Sequence, residues 1–143
     1  MADLATKLGI KPGYKVALLD APAELRAALE QACPAAEFYD SLGETPYELI
    51  LFWPSQLAGL ADTFAQHQRQ IVPDGAIWAV IPRQRIARQR GITFSWEEMQ
   101  AAGLQTDLVD NKIASISDEE YATRFVIRKD RRGKYGSASR HMP

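Results

Sequence analysis

Two apolar segments separated by a helix-like stretch constrain the fold of this chain more than any other feature. Residues 49–55 read Leu-Ile-Leu-Phe-Trp-Pro-Ser, and residues 76–82 read Ala-Ile-Trp-Ala-Val-Ile-Pro after a Pro-Asp-Gly turn signal at 73–75. Both segments are too apolar to leave one face in water, which is typical of strands buried on both faces of a parallel sheet. The pattern predicts a β-α-β unit in a layered α/β fold.

Apolar runs and turn signals elsewhere extend this unit into a predicted six-stranded open sheet. Right-handed crossovers give the spatial strand order 2-1-3-4-6-5, mostly parallel, with the last two strands as a C-terminal antiparallel hairpin. The strands are expected at residues 15–20, 36–40, 48–53, 76–81, 104–116 and 121–129.

Helix signals accompany these strands. Ser55 is predicted to be the N-cap of the helix after the third strand. Ser95 and Glu98 form a capping-box pattern that opens a later helix, and Gly103 is expected to end it. Trp78 and Trp96 are predicted core residues because they lie on a central strand and on this capped helix.

Length and composition predict one α/β domain over residues 1–129 and a disordered basic tail over residues 130–143. The chain has 143 residues, of which 46% are hydrophobic and 24% charged. Its single cysteine excludes an internal disulfide, and no signal-peptide pattern is present at the N-terminus, so a cytoplasmic location is expected. No apolar run approaches the roughly 20 residues that a membrane span needs. Cys33 and His67 lack partners at ligand spacing, so no metal site is predicted.

The charge is unevenly distributed, although the formal net charge is only −1. The segment between Asp74 and Glu97 contains no acidic residue, and a basic loop is predicted over residues 83–94. Guanidinium groups bind phosphate and carboxylate with two parallel hydrogen bonds, so the loop is a candidate anion site. The alternative is a solvated charge run, and the near-neutral total argues against a nucleic-acid partner. The candidate residues are Arg83, Arg85, Arg88 and Arg90.

The predicted strand order places a crevice at the carboxyl ends of strands 1 and 3, where ligands bind in open α/β sheets. Trp53 would either stack on a planar ligand or fill the crevice itself. Asp20 would either bind an amine or hydroxyl group or cap the turn that follows it, and Asp40 would either line the crevice or be a solvated loop acid. The candidate lining residues are Asp20, Ala21, Pro22, Asp40, Trp53, Pro54, Ser55 and Arg83.

These elements together resemble a minimal class I S-adenosylmethionine-dependent methyltransferase-like domain. The resemblance lies in residues 11–20, which look like the opening strand, in residues 72–80, which are similar to the approach to a central strand, and in residues 101–104 before the two last strands. Residues 7–13 with 18–22 also resemble a family of short bacterial proteins that contain a domain of unknown function. The resemblance implies a Rossmann-like, methyltransferase-like sheet.

Departures from the methyltransferase pattern determine the functional hypothesis. The turn after strand 1, at residues 20–24, has no glycine, Pro22 has no N–H, and Trp53 cannot orient an amine as Asp or Asn does in amino-methylating members. No nucleophile–base pair can be named. The sequence therefore favours a non-catalytic or degenerate methyltransferase-like binding or interaction domain that needs no cofactor.

Two alternatives and several partners stay open. The first alternative is a small methyltransferase that uses S-adenosylmethionine through an atypical turn, and the second is an anion-binding accessory protein that uses the arginine loop. The partner would be a protein or a small anionic ligand. Edge pairing of the terminal hairpin would give a homodimer.

Overall fold

A six-stranded sheet forms the centre of the molecule. The computed structural model describes residues 3–135. The strand order is β2-β1-β3-β4-β6-β5, which confirms the predicted order. Strands β1 to β4 pair in parallel, and β6 pairs antiparallel with both β4 and β5, so the predicted C-terminal hairpin is confirmed. The strands are β1 (Lys15–Leu19), β2 (Glu37–Tyr39), β3 (Tyr47–Phe52), β4 (Ile71–Pro82), β5 (Leu108–Ser115) and β6 (Glu120–Ile127).

Helices cover both faces of the sheet. Side chains of β3 alternate between the two faces: Leu49 and Leu51 pack with α1 and α2, whereas Ile50 and Phe52 pack with α3 and α5. The central strands are therefore buried on both sides, as their apolar composition predicts. The helices are α1 (Leu4–Leu8), α2 (Ala23–Ala32), α3 (Leu60–Gln68), α4 (Gln84–Gln89), α5 (Trp96–Leu104) and a 3-10 helix (Lys129–Lys134).

The predicted cap at Ser55 is wrong. Helix α3 begins at Leu60. Its N-cap is Gly59, which has φ 78° and no side chain that could cap the helix. Leu57, which would belong to a helix that begins at Ser55, lies before α3 and is 39% exposed. The left-handed conformation costs a non-glycine residue roughly 1 kcal/mol or more. Gly59 rather than Ser55 therefore determines where the helix can begin.

The predicted Pro-Asp-Gly turn lies inside a strand. Strand β4 runs through residues 73–75, and its register with β3 shifts between the pairs Tyr47–Ile71 and Leu49–Ala76. The extra residues form a bulge, which a strand can accommodate without ending. A Cβ atom at Gly75 would lie 2.8 Å from the carbonyl oxygen of Glu48, so the close approach of the two backbones requires glycine here.

The predicted basic loop contains a helix. Residues 84–89 form α4, and Ile86 is buried with 7% exposure. The Arg83 amide donates to the carbonyl of Glu119 at 2.8 Å, and Gly91, with φ 72°, follows the helix. One buried side chain and a backbone anchor therefore order a segment whose composition predicts a loop.

Helix α5 confirms one prediction and corrects another. Ser95 and Glu98 form the predicted capping box. Gly103 does not end the helix, because α5 continues to Leu104. Gly103 is buried where the helix approaches the ring of Phe125, so its small size serves packing rather than termination.

The domain extends beyond the predicted boundary at residue 129. The first part of the predicted tail forms the 3-10 helix, and Tyr135 packs against the core. The Tyr135 hydroxyl donates to the carboxylate of Asp107; burial, and then this carboxylate, raises the pKa of Tyr135 to about 12. An aromatic anchor thus holds a segment that reads as polar and aperiodic, and residues 136–143 lie outside the described residues.

Among residues 3–135, none of the helices has the length and apolar character that a membrane span requires.

Candidate functional site

The carboxyl ends of β1 and β3 lie side by side, as the strand order predicts. Leu19 and Phe52 are register partners at the ends of these two strands. The next residues, Asp20 and Trp53, therefore leave the sheet at the same level. The chain then continues from β1 to β2, which lies on one side of this pair of strands, and from β3 to β4, which lies on the other side. Open α/β sheets bind ligands where the strand order diverges in this way, so the predicted crevice would lie here.

The turn after β1 is built by Asp20. Asp20 has φ 69°, and it is the one non-glycine residue with positive φ among residues 3–135. Aspartate tolerates this left-handed conformation better than most residues, so the turn takes the backbone geometry that glycine usually supplies. Its carboxylate is exposed, and the N-cap of helix α2 is Pro22, which makes no side-chain hydrogen bond to that helix. Whether Asp20 binds a ligand group or caps the turn that follows it stays a prediction.

Trp53 follows β3 on the other side of this divergence and is half-buried. Its indole N–H points to Oε1 of Glu120, 3.5 Å away, and Glu120 begins strand β6. Pro54 is buried and Ser55 is exposed. Trp53 also packs against the core. Whether its indole stacks on a ligand or fills the predicted crevice stays a prediction.

Asp40 follows β2 and is bound by Arg26 of α2. The Arg26 guanidinium donates to Oδ1 of Asp40 and, at 3.2 Å, to the carbonyl of Phe38. The Asp40 side chain is nevertheless 80% exposed. The carboxylate therefore keeps a solvent-facing side at the carboxyl edge of the sheet, next to the end of β1.

The structure divides the four candidate arginines. Arg83 donates to Oγ of Ser115 at 2.9 Å, and its guanidinium lies 5.7 Å from the centre of the Tyr121 ring. Arg90 donates to Glu120 at 2.8 Å and to Glu119 at 3.3 Å. These two arginines hold the connection between β5 and β6, so they are engaged in the fold. Arg85 and Arg88 are exposed on α4.

Replacing Arg90 with alanine is expected to destabilise the protein by about 1–2 kcal/mol in urea denaturation. The Glu120 side chain is only 10% exposed. Without Arg90 this carboxylate would be largely buried without its charged partner, which is unfavourable for the folded state. Arg90 itself is 41% exposed, so solvent reduces the loss. The control Arg85→Ala should change stability by less than about 0.5 kcal/mol. Equal effects of the two variants would contradict this role of Arg90.

A cavity of about 620 Å³ lies beyond the carboxyl end of β4, and sequence reasoning missed it. It opens between α4 and the beginning of α5. Trp96, predicted to be core, is half-buried here and donates its indole N–H to Thr123 at 2.8 Å, whereas Trp78 is fully buried as predicted. The sequence feature that could have indicated this cavity is the group of aromatic residues around the arginine segment. The cavity-lining side chains include Ile81, Arg88, Phe94, Trp96, Glu97 and Tyr121.

The described part of the chain contains no cluster of three or more His, Cys, Asp or Glu side chains that could hold a metal ion. His67 is buried against the Phe52 ring, with 4.9 Å between the ring centres. Burial lowers the pKa of His67 to about 4. Its imidazole therefore belongs to the core under α3.

Several solved structures have a similar fold, and methyltransferases are among them. A TehB-like S-adenosylmethionine-dependent methyltransferase from Corynebacterium glutamicum has a TM-score of 0.52 and 13% identity, covering 86% of this chain and 85% of that one. The N-methyltransferase NodS from Bradyrhizobium japonicum has a TM-score of 0.54 and 9% identity, covering 82% and 86%. The pyocyanin biosynthetic protein PhzM has a TM-score of 0.66 and 10% identity, covering 86% of this chain and 53% of that one.

These likenesses define the fold. The chain has a Rossmann-like α/β fold of the methyltransferase type. No protein-family model matches the sequence, and no curated protein is significantly similar to it in sequence. The narrower resemblance to a family of short bacterial proteins stays a prediction.

Proposed function

We propose that this chain binds S-adenosylmethionine in the crevice between β1 and β3 and is a small methyltransferase with an atypical cofactor turn. The observation that carries the proposal is the left-handed backbone at Asp20. The missing glycine argues against cofactor binding in the sequence, but Asp20 supplies the conformation for which glycine is normally needed. The fold shared with methyltransferases supports the same conclusion.

The charges of the crevice suit this ligand. S-adenosylmethionine carries a sulfonium and an ammonium group, and it supplies an electrophilic methyl group when bound. The exposed carboxylate of Asp20 attracts positive charge, and the indole face of Trp53 attracts it through its quadrupole. The solvent-facing side of Asp40 can accept hydrogen bonds from ribose hydroxyls. Pro22 offers no N–H to the ligand, so side chains would contribute more of the binding than in glycine-rich turns.

A thermal-shift titration tests this proposal. S-adenosylmethionine and S-adenosylhomocysteine at a hundred times their dissociation constants should add about 2.7 kcal/mol, which raises the melting temperature by roughly 5–10 °C for this chain length. ATP and NAD are the comparators, and they should give no comparable rise. Absence of a rise with both sulfur-containing ligands would overturn the proposal.

A matched pair of variants places the ligand. Asp20→Asn keeps the size of the side chain and removes the charge, so it should weaken S-adenosylmethionine binding about tenfold. Asp130→Asn removes an exposed charge from the segment after β6, at the end of the sheet opposite to the carboxyl ends of β1 and β3. This variant should leave binding unchanged. Equal affinities of the two variants would show that the ligand does not use the crevice at Asp20.

The second candidate is a binding or interaction domain without catalytic activity. One observation favours it: Arg26 already binds Asp40, the carboxylate that a ribose would need. Removing this competition distinguishes the two candidates. Arg26→Met would tighten S-adenosylmethionine binding if Asp40 takes part, and it would change nothing in a domain that has lost the cofactor.

A homodimer formed by edge pairing stays a prediction. Strand β5 is an edge of the sheet, and Ile113 on it is 55% exposed. The same strand has a register shift between Asp110 and Lys112. Bulges and edge lysines limit strand addition, so these features argue against pairing through the middle of β5.

A further inference from the structure

We propose that the cavity beyond β4 is a second binding site, which takes a small planar aromatic acid and pairs its carboxylate with Arg88. Its volume of about 620 Å³ lies in the range of small-molecule sites. The site is separate from the crevice at Asp20, because neither Asp20 nor Trp53 lines it. The inference does not rest on S-adenosylmethionine binding.

The cavity wall is aromatic and ordered. Phe94, Trp96 and Tyr121 line it, together with Ile81 from the end of β4. Two of the rings have a polar or charged neighbour: the Trp96 indole N–H donates to Oγ1 of Thr123, and the guanidinium of Arg83 lies 5.7 Å from the centre of the Tyr121 ring. Prepositioned rings provide a stacking surface for a planar ligand at low entropic cost.

Arg88 is the basic side chain that lines this cavity. Within residues 3–135 its guanidinium makes no hydrogen bond or ion pair, in contrast to Arg83 and Arg90. A guanidinium fork matches the geometry of a carboxylate and can bind it with two parallel hydrogen bonds. Of the four arginines in this segment, Arg88 alone combines a place on the cavity with freedom from other described partners.

The surrounding charge favours an anion. No acidic residue lies between Asp74 and Glu97, whereas four arginines do. Glu97 is the acidic side chain that lines the cavity, and it acts on Tyr121, whose pKa is raised first by burial and then by this carboxylate. Because Glu97 forms no ion pair with Arg88 among the described residues, it leaves the guanidinium available. A ligand with a hydrogen-bond donor opposite its carboxylate would also satisfy Glu97.

A pair of isosteric probes tests the charge requirement. 2-Naphthoate and 2-naphthamide have nearly the same shape, but only the first is an anion at pH 7. Isothermal titration or ligand-observed NMR should give about tenfold tighter binding of 2-naphthoate to the wild-type chain. The advantage should shrink as salt is raised, because part of Arg88 is in solvent. Equal binding of the two probes, or no binding of either at millimolar concentration, would overturn the proposal.

Matched variants locate the probe. Arg88→Gln should remove the tenfold preference for 2-naphthoate, whereas Arg85→Gln, with the same charge change on the same helix, should keep it because Arg85 does not line the cavity. Asp20→Asn should bind 2-naphthoate as the wild type does, so this result separates the cavity from the crevice. A preference lost equally in Arg85→Gln and Arg88→Gln would indicate general charge attraction and contradict a site at Arg88.

Discussion

Lowering the pH from 7 to 4 is expected to cost the folded protein roughly 3 kcal/mol through His67 alone. Burial lowers the pKa of His67 from 6.5 to about 4, and its Nδ1 atom has no hydrogen-bond partner among residues 3–135. In the unfolded chain the same imidazole takes up a proton near pH 6.5, so the unfolded state binds more protons between the two values. The contribution is complete above about pH 6.5 and is lost as the pH falls toward 4.

The free energy of unfolding, measured in urea at a series of pH values, checks this expectation. His67→Phe keeps a ring beside Phe52 and removes the titration, so the difference in stability between variant and wild type should grow as the pH falls from 6.5 to 4. The carboxylates that titrate in the same range are present in both proteins, so their contribution to the pH dependence cancels in this difference. The control is His141→Ala, which changes the only other histidine of the sequence and should follow the wild type. Parallel pH profiles for wild type and His67→Phe would contradict the assignment.

Replacing Gly103 with alanine is expected to destabilise the protein by about 1–3 kcal/mol, although helix propensity alone predicts a gain of about 1 kcal/mol. An added Cβ would lie 2.5 Å from Cε2 of Phe125. That ring is fully buried and packs against Phe64, with 4.7 Å between the ring centres, so it cannot move away without disturbing the core. The overlap outweighs the conformational advantage of alanine.

Equilibrium unfolding in urea separates the two effects. Gly103→Ala should lower the midpoint, and Gly103→Ala combined with Phe125→Leu should lose less than the sum of the two single changes, because a smaller side chain relieves the overlap. Ala101→Gly on the exposed side of the same helix measures helix propensity by itself, at a cost of about 1 kcal/mol. A stabilised Gly103→Ala variant would show that the helix and the ring are not in close contact.

The strand core is the part of the fold that local pattern predicts well. The apolar runs at Leu49 and Ala76 are buried on both faces, and the right-handed crossover rule leads from them to the observed strand order. The capping box at Ser95 and Glu98 is also confirmed, because both of its hydrogen bonds lie within one helical turn. These features depend on neighbours close in sequence or on a general rule of chain handedness.

The errors occur where a distant contact overrides a local signal. The turn signal at residues 73–75 becomes a bulge because β3 lies alongside it. Gly103 reads as a helix end, but its small size is used against Phe125, 22 positions away in the sequence. Tyr135 is drawn onto the core by Asp107, and the arginine segment becomes helical around Ile86. Local sequence carries no information about which distant side chain arrives at these positions.

The candidate site shows the same division. By itself the sequence determined the α/β class, the strand order and the place where β1 and β3 end together, because hydrophobic periodicity and crossover handedness are properties of the chain itself. Only the tertiary structure decided that Asp20 adopts the left-handed turn, that Arg26 binds Asp40, and that Arg88 faces an aromatic cavity. Those outcomes depend on which elements pack together, and packing is decided by the free energy of the whole core rather than by any short segment.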